Sequence, residues 1–120
     1  MNPQIVLLQF NKKQDGPDLE MFESPMFTSH MVMKYLHKRN RVNIIEYLIN
    51  KLYRQKRNDY LFLDFYLPQL CYLSITKQDP RCRVPIQRFV LQMSIKYPIF
   101  GLKALLWYLS WMEDEKMPYQ

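Results

Sequence analysis

The chain has 120 residues, enough for one domain and too few for two of ordinary size. Hydrophobic residues make up 48% of it, including seven Phe, nine Tyr, two Trp and eight Met, a content that excludes intrinsic disorder. With only two glycines, an all-β sandwich or barrel would lack turn residues, while the net charge of +6 is too scattered to form a nucleic-acid stripe.

The first 17 residues read as an extension. Ile5 to Leu8 is a short apolar run, and Asn-Lys-Lys-Gln-Asp-Gly-Pro after it is linker or turn chemistry. Ser24-Pro25 pairs an N-cap residue with a first-turn proline, and Phe27, Met31, Val32, Tyr35 and Leu36 then share one helical face. Lys38-Arg-Asn40 closes this helix with positive charge at its C-terminus, the favourable sign for the dipole.

A second helix is expected from about Val42 to Lys56, with Ile45, Leu48, Ile49 and Leu52 inside and Asn43, Glu46, Asn50 and Arg54 on the wet side. The short link before it implies an antiparallel hairpin. The third helix, Tyr60 to Thr76, contains Pro68. Either Asp64 caps a helix that holds the proline in its first turn, or a longer helix kinks there. The segment is apolar on nearly every side, which places it centrally.

Asp79-Pro80 caps a fourth helix, with Pro85 as the other possible start and Ile86, Phe89, Val90 and Met93 inside. Tyr97-Pro98 opens a fifth, in which Ile99, Leu102, Leu106 and Leu109 form the expected inner stripe and Trp107, Tyr108 and Trp111 a second apolar edge, either packed or free to meet a partner or membrane. From Glu113 onward the chain is polar. About five helices in antiparallel pairs make an all-α, α-solenoid-like fold, with residues 1–17 an extension, 18–115 the helical domain and 116–120 a tail.

Catalytic chemistry is missing from this pattern. Gly16 and Gly101 stand alone, so no phosphate loop is present; His30 and His37 could share a face but lack a third ligand or carboxylate, and Cys71 with Cys82 has no metal-like spacing. Asp15 and Asp18 lie in the supposed linker, and Glu113-Asp-Glu115 in the tail; a general acid and base would need a rigid element. No catalytic residue, metal or cofactor is therefore assigned. No signal peptide or spanning segment is legible, and a cytoplasmic protein is expected.

Two segments carry a family resemblance. Met21-Phe22-Glu23-Ser24 leads into the first helix, and Leu63-Asp64-Phe65-Tyr66-Leu67-Pro68-Gln69-Leu70 forms the heart of the third. Together they resemble the accessory helical (PIK) domain of phosphatidylinositol kinases, most closely the type III beta phosphatidylinositol 4-kinases. The similarity runs from Leu19 to about Asp114. It implies a scaffold that packs against a separate lipid-kinase catalytic domain and meets regulators such as Rab-type small GTPases, in the cytoplasm or at Golgi and other internal membranes. Phe65, Leu67, Pro68 and Leu70 would be structural. The basic charge also admits an anionic membrane surface as a partner, and a structural helical subunit of an unrelated assembly is the alternative.

Overall fold

The computed structural model describes residues 12–116, and side chains from 15 to 113. Ile5 to Leu8 and residues 117–120 lie outside this range. Among the described residues there are six α-helices and no strand: α1 (Lys12–Glu23), α2 (Ser29–Lys38), α3 (Val42–Lys56), α4 (Tyr60–Thr76), α5 (Pro80–Lys96) and α6 (Pro98–Lys116). The all-α expectation holds, with one helix more than the five expected.

The extra helix is α1, which runs through the Gly16-Pro17 dipeptide that reads as a linker and across the expected boundary at residue 17. Tertiary contacts override the weak local propensity. Asp18 takes a two-pronged hydrogen bond from Arg39, 2.9 Å on each arm, and the buried Asp15 accepts from Asn43 and Arg41. These carboxylates are thus held on a helix, as clamps to the α2–α3 junction.

Ser24-Pro25 does not start a helix. Its hydroxyl accepts from Met26 N and closes a turn, and α2 begins four residues later, where Thr28 Oγ1 accepts from Met31 N at 3.3 Å. For α4 the cap is Asp59, whose Oδ1 accepts from Phe62 N at 3.1 Å. Helix α4 therefore starts before Asp64 and carries Pro68 in its interior. Helix α5 starts at Asp79-Pro80 as expected, with Asp79 Oδ1 accepting from Arg81 N at 2.9 Å. In each case a side-chain oxygen satisfies an N–H that the first turn leaves without a backbone partner.

Helix α2 packs on α3, α3 on α5, α4 on both α5 and α6, and α5 on α6. From α2 on each helix meets its successor and, from α3 on, the next but one, the stacking of an α-solenoid. Leu36, Ile45, Leu48, Leu52, Leu63, Leu67, Leu70, Ile86, Phe89 and Phe100 are fully or almost fully buried and join the layers.

Two expectations about helix faces fail. Asn50, expected on the wet side of α3, is buried. The stripe Ile99, Leu102, Leu106 and Leu109 faces solvent, and α6 instead buries Phe100 and Ala104. Small residues select that face. A Cβ on Gly101 would sit 3.0 Å from Ser94 Cβ and 3.3 Å from its backbone, so α5 and α6 approach closely here. Gly101→Val is expected to lower stability by about 2 kcal/mol through overpacking. Gly16→Ala, with open space at its Cβ, is expected to raise it by about 0.5 kcal/mol. Thermal melts of the two variants check both signs.

Candidate interaction surfaces

The N-terminal motif lies where α1 meets α2 and α3. Phe22 is fully buried, with ring centroids 5.2 Å from Phe27, 5.9 Å from Tyr35 and 5.9 Å from Tyr47, and its carbonyl accepts from Lys51 Nζ at 2.8 Å. Glu23 Oε1 accepts from the Tyr47 hydroxyl at 2.6 Å. Burial, reinforced by that bond, pushes the Tyr47 hydroxyl pKa well above its ordinary value.

The Asp64–Leu70 motif divides by helical phase. Leu67 and Leu70 are core, and Pro68 is half-buried. Gln69 Nε2 donates to Met33 O at 3.2 Å, which ties α4 to α2. Tyr66 OH lies 2.7 Å from His30 Nδ1, and Asp64 accepts from Lys103 Nζ at 2.8 Å, which ties α4 to α6. Phe65, however, is 72% exposed and Leu61 81%, so α4 is central without being wrapped on every side, and Phe65 is no core residue.

The aromatic edge of α6 divides in the same way. Tyr108 is half-buried, with its hydroxyl 2.6 Å from Ser74 Oγ, and burial pushes its pKa up to about 12. Trp111 is half-buried against Tyr72, while Trp107 is partly exposed beside it, ring centroids 5.4 Å apart. Nearby, Cys71 is a buried free thiol whose pKa burial raises to about 11, and Cys82 is buried too; neither has the low pKa of a reactive nucleophile.

Two features carry no signal in the sequence. The first is a groove of about 210 Å³ between α3 and α5, floored by Ile49, Pro85 and Phe89 and rimmed by Glu46 and Arg88. Asn50 lines it, only 8% exposed, and its Nδ2 has no hydrogen-bond partner. A buried amide donor left unpaired costs about 1–3 kcal/mol, a cost that turning the side chain into the groove towards an outside acceptor would relieve. The second is Lys77, 6% exposed, whose Nζ donates to His37 O at 3.2 Å, Arg39 O at 2.6 Å and Asn40 Oδ1 at 3.1 Å. Burial lowers its pKa, yet all three ammonium protons find oxygens at the α2 C-terminus.

Among the described residues, no group of three or more His, Cys, Asp or Glu is arranged to hold a metal ion, and no helix is long and apolar enough to cross a membrane. The surface offers grooves and apolar faces for macromolecules.

Residues 31–110 match the family model described as the PI4KB/PIK1 accessory (PIK) domain. The chain belongs to this family. Among curated proteins, this PIK domain is similar to phosphatidylinositol 4-kinase beta 2 of Arabidopsis thaliana, 27% identical over 96 residues, and to phosphatidylinositol 4-kinase beta 1 of the same plant, 26% identical over 96 residues. Each match covers 80% of this chain and 8% of the relative. No solved structure matches. The shared part is the accessory portion of these kinases, and the Asp64–Leu70 motif lies inside the matched span, whereas Phe22–Ser24 lies before it.

Proposed function

We propose that this PIK domain is a non-catalytic scaffold and protein-interaction module of a phosphatidylinositol 4-kinase-like protein, supporting phosphoinositide signalling. Its partners on this reading are a lipid-kinase catalytic domain and a regulator such as a Rab-type small GTPase, met in the cytoplasm or at an internal membrane. The observation that carries the interaction role is the unpartnered Asn50 amide in the α3–α5 groove. With the Asn50 side chain turned into the groove, a main-chain carbonyl of a docked protein completes it, while Ile49 and Phe89 take an apolar side chain and Arg88 an acidic neighbour. The kinase part rests on family membership alone.

The test uses the full chain, wild type and Asn50→Leu, immobilised in native extract, with captured proteins identified by mass and the eluate assayed for phosphatidylinositol 4-phosphate synthesis. Asn50→Leu is expected to melt no lower than wild type, because it removes an unsatisfied buried donor. It is also expected to lose the GTPase by tenfold or more while kinase activity stays in the eluate. An inactive complex with proteins unrelated to lipid phosphorylation would favour the structural-subunit alternative and overturn the proposal.

A further inference from the structure

The outer face of α6 is unusual for a helix at the surface. Ile99, Leu102, Leu106 and Leu109 are 64%, 59%, 58% and 47% exposed, at spacings of three, four and three. Leu105 and Met112 widen the stripe on one side, and Leu91 and Ile95 of α5 are exposed as well. A helix that is apolar all round is normally covered, and the 3-4-3 spacing is that of a seam between two helices. Half-exposed side chains in this number approach the ~800 Å² per partner of a standard specific interface.

Charge points to the occupant. Glu113, exposed, stands at one end of the stripe and begins an acidic run, Glu113-Asp-Glu115, in the last turns of α6, the wrong sign for the helix dipole there. At the other end are the exposed Lys96, whose Nζ donates to the neutral Asn58 Oδ1, and the positive N-terminus of α6 itself. Lys103, on the stripe's edge, is already taken by Asp64. The helix is thus complementary to itself when reversed. An anionic bilayer lying along the stripe would meet Glu113 at its acidic end, a charge of the unfavourable sign.

We propose that the outer face of α6 is the interface of a two-fold, antiparallel dimer of this chain. The axis passes between Leu102 and Leu106, so that each Leu102 meets Leu106 of the second copy and each Ile99 meets Leu109. Glu113 then lies beside the second copy's Lys96 and α6 N-terminus. On α5 the α3–α5 groove is lined by Pro85, Arg88, Phe89 and Gln92, not by Leu91, Ile95 or Lys96, so this inference stands apart from the proposed function.

Sedimentation equilibrium of the full chain across low to high micromolar concentrations is expected to show a dimer. Leu106→Lys, which strikes the seam twice by symmetry, is expected to weaken it at least tenfold, with the circular dichroism melt unchanged at concentrations where wild type is monomeric, because the side chain is already exposed there. Glu113→Lys and Lys96→Glu are each expected to weaken the dimer, and the double reversal to restore it. A monomer at every concentration, or a dimer indifferent to Leu106→Lys, would overturn the proposal. So would a monomeric chain whose binding to vesicles of phosphatidylcholine and phosphatidylserine is lost in Leu106→Lys; that result would make the face a membrane contact.

Discussion

Lys77→Met is expected to destabilise the domain by about 2–3 kcal/mol, a large effect for a residue that touches no partner. Methionine fills the space of the lysine stem but donates nothing. The His37 and Arg39 carbonyls and the Asn40 amide oxygen, on exposed or half-buried residues, then lose their shared donor at once, and an acceptor shut off from water without a donor costs about 1–3 kcal/mol. The sum stays at the lower end because a neighbouring cleft of about 450 Å³, lined by His37, Asn40, Lys77 and Cys82, admits water to part of the site. Urea titration of the two proteins measures the difference. Arg81→Met is the control: its ion pair with Asp79 is exposed, and exposed pairs contribute about 0–1 kcal/mol. Equal losses in the two variants would show that the Lys77 oxygens are satisfied in some other way.

Lys77 also shows where the sequence stops being informative. A lysine just after a helix C-terminus normally interacts with its own helix end from solvent. What buries this one is the C-terminal end of another helix, about 40 residues away in sequence, and nothing local records that arrangement. The bounds expected for α3 and α4, by contrast, match the helices, α3 through the periodic apolar stripe within its own segment and α4 through its length, with Asp59 rather than the alternative Asp64 as its cap. Helix α1 was missed for the same reason as Lys77: its anchors, Arg39, Arg41 and Asn43, belong to other elements. In α6 the helix was found and its face was not. A segment apolar all round gives periodicity no preferred phase, and the small residues Gly101 and Ala104 settled it by allowing α5 to approach. Asn50 sits beside Ile49 on a stripe whose burial extends one residue further round than the apolar pattern suggests. Leu67 and Leu70 of the Asp64–Leu70 motif are buried and Gln69 bridges α4 to α2, while none of the motif's residues lines the groove.

Phe22→Ala is expected to cost about 3–5 kcal/mol, the range for truncating a fully buried aromatic ring. How that loss is distributed matters more than its size. The ring is shared between α1, which carries it, and the aromatic cluster of Phe27, Tyr35 and Tyr47 on the following turn, α2 and α3. The family match begins at residue 31, after α1, so the stacked helices α2 to α6 hold the family fold and α1 is docked onto them through this ring and the Asp15 and Asp18 clamps. Native-state hydrogen exchange of the variant is therefore expected to show α1 opening first, with the amides of α5 and α6 protected nearly as in wild type. Uniform loss of protection from α1 to α6 would instead mean that Phe22 anchors the whole solenoid, and that α1 belongs to its single cooperative unit.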